Sequence, residues 1–227
     1  MESNNFNGRE MVFVKIAEIP RPTLERLPLY FRSLSLWKDK GIITVSSVDI
    51  GRDVGVNVVQ VRKDLAYFGE FGRPGVGYNV EYLMSELAKL LGFTINTRAV
   101  LIGAGRLGTA IVSYGGFQRY SVEVTALFDI DPEKYGHEVA GAPIKSLSEL
   151  PSFLKENEIH LGIITVPAVV AQEVADILVA NGVKAIWNFA PISLQVPAEV
   201  KVRNEDLAVG LATLCYFLNK ENKKDAP

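Results

Sequence analysis

An apolar run that leads straight into Gly103-Ala104-Gly105-Arg106-Leu107-Gly108 constrains the fold of this chain more than any other stretch. Ala99-Val100-Leu101-Ile102 has the length and composition of a strand buried on both faces. The six residues after it fit G-x-G-x-x-G where a strand must turn into a helix, expected to reach about Tyr114. An acid, Asp129, stands 21 positions after Gly108, at the end of the next extended stretch, Val122–Leu127. Each glycine then has a physical task. Gly103 makes the tight turn, Gly105 keeps side chains away from a pyrophosphate, and Gly108 lets the helix close on the strand. The helix start turns free N–H groups towards the phosphate charge. Asp129 would accept hydrogen bonds from the adenosine ribose hydroxyls and repel a 2′-phosphate, which favours NAD(H) over NADP(H). Gly103, Ala104, Gly105, Arg106, Leu107, Gly108 and Asp129 are therefore the first candidate cofactor residues.

The rhythm continues with extended stretches at 159–165, 183–188 and 200–202, a helix at 169–180, and a last amphipathic helix from Asp206 to about Asn219. Strands alternating with helices predict a doubly wound parallel sheet, an α/β Rossmann domain over 98–204, with 205–227 as a C-terminal helix and tail. A dehydrogenase would also need a proton donor or acceptor beside the nicotinamide and a substrate chamber. Completing the sheet consumes nearly all of 129–227, and His137 and His160 stand in no catalytic or metal-ligand spacing. Tyr114 could be an acid, but a tyrosine ending a helix is more often a packing or hydrogen-bonding post. The dinucleotide reads as a ligand to be sensed, with no catalytic residue and no metal. The single cysteine, Cys215, lies among Leu211, Leu214 and Leu218 at helical spacing and is expected to be a buried small hydrophobe. Disulfides within the chain are excluded, so redox sensing would have to come from a bound molecule.

The front of the chain is organised differently. Leu27, Tyr30, Phe31, Leu34 and Trp37 recur at helical spacing, with Pro28 near the start and Gly41 as a stop. Ile42–Val45 reads as extended, and Ser46 or Ser47 caps a short helix ending at Gly55. After the turn at Gly55-Val56-Asn57 a third helix is expected over 58–68, burying Val58, Val61, Leu65 and Phe68. Two short helices about a glycine turn form a helix-turn-helix. Glycines at 69, 72, 75 and 77 then make a hairpin of the kind a wing requires, before a helix over 81–91 and a linker over 93–97. Residues 19–92 thus read as a winged helix, and 1–18, mixed in composition and polar at its start, as a loose extension. On the third helix Gln60, Lys63 and Tyr67 face away from the core, with Arg62 and Asp64 beside them. Gln, Arg and Lys are the side chains that read base edges and grip phosphates in the major groove. Arg73 on the hairpin would reach the neighbouring DNA backbone or the minor groove, and Ser46, Ser47 and Asn57 at the helix starts complete the candidate DNA contacts. The net charge of −2 hides nine Lys/Arg against six Asp/Glu over 20–75 and twelve against fifteen from 97 onward. A basic front half suits a polyanionic partner. No apolar run reaches the roughly 18–20 residues that span a bilayer, and no signal sequence opens the chain, so the expected location is cytoplasmic and no membrane is expected as partner.

The run Gln60-Val61-Arg62-Lys63-Asp64-Leu65-Ala66-Tyr67-Phe68-Gly69-Glu70-Phe71-Gly72 closely resembles the Rex family of redox-sensing repressors. So do Gly75-Val76-Gly77-Tyr78, Pro22-Thr23-Leu24-Glu25-Arg26-Leu27-Pro28-Leu29-Tyr30 and Trp187-Asn188-Phe189-Ala190-Pro191. The resemblance spans about Ile19 to Leu218. Pro74 departs from the basic residue usual in the wing, and Arg106 from the common asparagine of the glycine loop. The resemblance implies a homodimer whose C-terminal helix is swapped, packing between the winged helix and the Rossmann domain of its partner. It implies a palindromic double-stranded operator, released when NADH binds, while NAD⁺ competes without the same effect. An interdomain switch would map onto Arg32, Tyr114 and Asp206. Nicotinamide-side contacts would fall near Thr165-Val166-Pro167 and Asn188-Phe189-Ala190-Pro191, with Tyr114 close by. Oxidised nicotinamide carries a ring charge and reduced nicotinamide does not, so an apolar pocket near Val166, Pro167 and Phe189 should prefer NADH. Two rival readings are an NAD-dependent oxidoreductase capped by the N-terminal helices and a nucleotide-binding regulatory subunit that contacts another protein.

Overall fold

The computed structural model describes residues 19–67, 72–73 and 76–222. The expected extension over 1–18, residues 68–71 and 74–75 of the expected helix end and hairpin, and the last five residues lie outside the described residues. The chain divides into two units, Met1–Thr94 and Ile95–Pro227.

The first unit is a winged helix. It runs α1 (Arg21–Asp39), β1 (Thr44–Val45), α2 (Ser47–Val54), α3 (Val58–Ala66), β2 (Gly72–Arg73), β3 (Gly77–Asn79) and α4 (Val80–Leu90). The three strands pair antiparallel in the order β1-β3-β2. Leu27, Tyr30 and Leu34 of α1 are wholly buried with Ile50, Val61, Leu65, Leu83 and Leu87. Pro28 corrects the expectation that it lies near the start of the helix. α1 starts at Arg21 with Pro22 in its first turn, and Pro28 sits inside. The apolar periodicity begins only at Leu27, because the buried residue of the first turn is Thr23, a polar one. Ser46 is the N-cap of α2, and it closes a capping box with Asp49. Asn57 caps α3, which ends at Ala66, two residues short of the expected limit.

The second unit is a Rossmann-type sheet in the order β10-β9-β8-β4-β5-β7-β6. Its strands are β4 (Thr97–Ile102), β5 (Val122–Asp129), β6 (Glu138–Val139), β7 (Ala142–Ser146), β8 (Leu161–Ile164), β9 (Ala185–Asn188) and β10 (Lys201–Asn204). Every pairing is parallel except that of β6 with β7. Helices α5 (Arg106–Ser113), α6 (Leu150–Glu156) and α7 (Ala168–Ala180) connect the strands. Alternation along β4 explains its unbroken apolar run. Val100 and Ile102 join Leu154, Val174 and Leu178 in one core, while Ala99 and Leu101 join Val112 and Ile163 in the other. The first strand, β4, lies between β5 and β8, so the strand order reverses there, and a crevice opens at the carboxyl ends.

Sequence reasoning found no elements between Asp129 and Ile159, where β6, β7 and α6 lie. They hold two, five and seven residues, too few for a period to show, and both β7 and α6 carry a proline. A final helix, α8 (Leu207–Asn222), carries the free Cys215, which is exposed. That corrects the expectation of a buried thiol. Leu207, Val209, Leu211, Leu214, Tyr216 and Leu218 of the same helix are each between 60 and 70 % exposed, so this chain alone does not cover the helix.

Candidate dinucleotide site and nucleic-acid interface

The turn after β4 is built around two glycines that admit no side chain. Gly103 has φ +101°, and its N–H donates to the Phe128 carbonyl at 2.8 Å. A Cβ there would stand 2.8 Å from the Thr165 carbonyl oxygen. Thr165 Oγ1 donates to the Gly103 carbonyl at 2.8 Å, tying the glycine turn to the end of β8. At Gly108 a Cβ would overlap the Gly103 carbonyl oxygen. Around Gly105 the space is open, and this residue is the N-cap of α5 without a side-chain cap. Arg106 and Leu107 in the first turn are exposed, whereas Ala104 is buried. Uncapped N–H groups facing open space beside a glycine are what a pyrophosphate needs, so the residues fit that group.

A cavity of about 590 Å³ opens here, lined among others by Gly103, Gly105, Asp129, Thr165, Val166 and Pro167. The structure thereby joins the glycine turn, the acid after β5 and the loop after β8. Asp129 is 8 % exposed; its Oδ1 accepts the Asp131 N–H at 2.9 Å and its Oδ2 accepts from Lys134 Nζ at 3.1 Å. Burial works against the charged form, but the Asp131 amide and the Lys134 ammonium outweigh it and hold the carboxyl below its ordinary range. Sequence reasoning missed Lys134, which stands five residues beyond the acid.

The remaining nicotinamide-side candidates are placed differently. Asn188 is wholly buried. Its Nδ2 donates to the Ala190 and Ile192 carbonyls and to Asn204 Oδ1 at 2.9–3.1 Å, and its Oδ1 accepts the Ala190 N–H at 3.0 Å. The side chain is thus a post that holds the loop after β9 and the strand β10. Phe189 packs with the α5-side core and Val166 with the α7-side core, so the expected single apolar lining of Val166, Pro167 and Phe189 is divided between two faces. Phe189 lies 4.6 Å from Trp187, Trp187 5.8 Å from Phe117, and Phe117 5.7 Å from Tyr114, centroid to centroid. Tyr114, the C-cap of α5, is 65 % exposed at the far end of this ladder. Phe117 lies in a short 3-10 turn, Phe117–Tyr120, whose sequence gave no signal.

In the other unit, α3 presents Arg62 and Lys63 to solvent, and Tyr67 is 42 % exposed. Arg62 Nε donates to the buried Ser47 Oγ at 2.9 Å, linking the two helices of the helix-turn-helix. Ser46 Oγ accepts the Asp49 N–H at 3.1 Å and donates to Asp49 Oδ2 at 2.6 Å, while Asn57 Oδ1 accepts the Val59 N–H at 2.8 Å. These side chains hold the helix starts. Arg73 lies in β2, paired with Gly77. Arg32 is exposed on α1.

Asp64 corrects the expectation of an outward-facing neighbour, since it is 0 % exposed. It accepts from Arg26 Nε at 2.6 Å and Nη2 at 2.8 Å, Tyr30 Oη at 2.7 Å, Thr23 Oγ1 at 3.0 Å and Gln60 Nε2 at 2.8 Å. Burial opposes its charge, but these donors win and hold the carboxyl at about 2, while burial and the same carboxylate push the Tyr30 hydroxyl up. A charged residue inside a small domain persists only when fully partnered, and here it pins α3, with Gln60, against α1. Ahead of α8, Asp206 Oδ1 accepts the Ala208 N–H at 2.8 Å. Among the described residues no group of three His, Cys, Asp or Glu could hold a metal ion, and no helix is long and apolar enough to cross a membrane.

Comparison with known proteins gives matches in both units. Residues 94–192 match the family model described as a CoA binding domain, and residues 18–66 one described as a putative DNA-binding protein N-terminus. The chain is 47 % identical over 203 residues to the redox-sensing transcriptional repressor Rex of Desulfitobacterium hafniense, covering 89 % of this chain and 97 % of that one. It is 43 % identical to the Rex of Chloroflexus aggregans, covering 90 % and 96 %. A solved structure of RSP with beta-NAD+ and operator DNA is similar, with a TM-score of 0.83 and 36 % identity over 92 % of this chain and 99 % of that one. RSP with beta-NADH gives 0.80 and 36 % over 90 % and 96 %.

Proposed function

This chain belongs to the Rex family of redox-sensing transcriptional repressors, and from that premise we propose that it binds a palindromic operator as a homodimer and releases it when NADH occupies the second unit. One observation carries the reading: a single chain holds a glycine-turn cavity with an ionised acid and a helix-turn-helix with exposed cations. The pyrophosphate would lie over Gly105, Arg106 and Leu107, the adenosine ribose at Asp129, and the nicotinamide towards Thr165, Val166 and Pro167. DNA would be met by Arg62, Lys63 and Tyr67, with Gln60, Ser46, Ser47 and Asn57 setting the helix positions and Arg73 reaching from the hairpin. Arg32, Tyr114 and Asp206 would form the polar switch. The exposed leucines of α8 suit an exchanged helix that a partner copy covers. NADH and NAD⁺ are then sensed ligands, no reaction is catalysed, and the protein works in the cytoplasm. A hundredfold change in operator affinity requires about 2.7 kcal/mol of coupling between the two occupancies.

Random-sequence DNA selection with the purified protein, repeated with NADH, tests the reading: enrichment of a palindrome that disappears with NADH is expected. Arg62→Ala combined with Lys63→Ala should abolish operator binding and leave NADH affinity unchanged, since it removes two cations that meet phosphate or base edges. Undiminished binding at moderate salt would take both residues out of the interface. Asp206→Ala should blunt NADH-induced release while basal binding stays. It also removes the side-chain cap ahead of α8, a loss of about 1 kcal/mol in helix stability. An unshifted NADH titration in gel-shift assays would refute this role.

A further inference from the structure

Beyond β5 the chain reads Asp129-Ile130-Asp131-Pro132-Glu133-Lys134, and a 3-10 turn over Pro132–Lys134 folds the lysine back over the acid. Lys134 Nζ stands 3.1 Å from Asp129 Oδ2 and 3.6 Å from Asp131 Oδ2. All three residues line the cavity beside Gly103 and Gly105. The Asp131 N–H and Lys134 Nζ grip one oxygen each of Asp129, so that carboxylate is fixed in place.

We infer that Lys134 is a specificity-determining residue: with Asp129 and Asp131 it forms a corner that admits adenosine with free ribose hydroxyls, refuses adenosine phosphorylated there, and holds a cation in reserve. The inference rests on the dinucleotide reading above. A ribose hydroxyl can donate to Asp129 and accept from the Lys134 ammonium, so both charged groups meet a neutral partner that serves each. A phosphate monoester brings nearly two negative charges and no donor. Two carboxylates against one ammonium leave the corner net negative, and Lys134 is already consumed by the acids. Hydrogen bonding to Asp129 raises the ammonium above its ordinary range, so the pair stays charged at neutral pH. Once Asp129 is neutral, the same ammonium is released to bind phosphate. The refusal extends to coenzyme A, phosphorylated at the 3′ position, although the family model covering residues 94–192 carries that ligand's name.

Calorimetric titration of the full-length protein with NADH, NADPH and coenzyme A, for the wild type, Asp129→Asn, and Asp129→Asn combined with Lys134→Met, tests this. The wild type should bind NADH and refuse the two phosphorylated molecules. Asp129→Asn should bind NADPH about tenfold more tightly than the wild type does, the scale of one hydrogen bond to a charged group, and the double variant should lose that gain. A gain that survives Lys134→Met, or no gain while NADH still binds the wild type, overturns the role of Lys134. Wild-type binding of coenzyme A as tight as that of NADH overturns the exclusion. No binding of NADH to the wild type would instead strike the dinucleotide reading itself. Thermal unfolding without ligand checks that the variants fold, and Asp131→Asn makes the same comparison should Asp129→Asn fail to fold.

Discussion

Gly108→Ala is expected to give a repressor that keeps its operator and ignores NADH. The added Cβ would overlap the Gly103 carbonyl oxygen and stand 2.8 Å from both Leu101 Cδ2 and Thr165 Oγ1. A backbone carbonyl cannot swing aside like the end of a flexible side chain, so α5 must back away from β4. Its first turn, from Gly105 to Leu107, then leaves the place where the phosphates are held. Losing two N–H bonds to a charged group lowers NADH affinity about a hundredfold or more. The overpacking itself costs about 1–3 kcal/mol of stability. Calorimetry should show the loss of NADH binding, and gel shifts should show operator binding within about twofold of wild type, since coupled binding alone is removed. If NADH still releases the operator at the usual concentration, the glycine turn has been assigned the wrong task.

Asp64→Ala should unfold the winged helix or nearly so. It strands the Arg26 guanidinium, the Tyr30 and Thr23 hydroxyls and the Gln60 amide, all of which donate to this one carboxylate. Breaking such a buried network from one side costs about 3–5 kcal/mol, against a total of about 5–15 for a typical domain. Operator binding should vanish with it. The same carboxylate sets a pH dependence. Folding lowers its pKa to about 2, so the unfolded chain takes up the proton first. Its contribution, about 2 kcal/mol, is complete above the ordinary carboxylate value near 4 and is lost as pH falls towards 2. Thermal melts of the wild type and variant should therefore differ most at pH 7, with the gap narrowing by about 2 kcal/mol as pH falls towards 2. Equal melting temperatures at pH 7 would mean that the network contributes nothing.

Much of this architecture is legible before any coordinates. The glycine turn, the acid after β5 and the two short helices each announce themselves through spacing that steric limits enforce. Asp64 shows where such reading stops short. It stands three residues after Val61 and one before Leu65, so the same period that buries those two buries it as well. Its charge argued for solvent, and its partners on α1 lie 34 to 41 residues away in the chain. Asn188 repeats the lesson at the end of β9, where the strand's one polar side chain falls on the same buried face as Ile186. Lys134 was hidden for another reason. The turn that folds it back is three residues long, and such a turn has no periodicity to read.

The two margins of the seven-stranded sheet bear on how the folded protein behaves when concentrated. At one margin β6 offers only two residues of open backbone, and they run against the direction of the strands beyond their neighbour. At the other, β10 places Lys201 and Arg203 at alternate positions, both exposed. A neighbouring molecule seeking to add a strand meets a stub on one side and repeated cations on the other. Such margins deny cross-β growth a template, so fibril formation would have to begin from unfolded chains rather than from the native sheet.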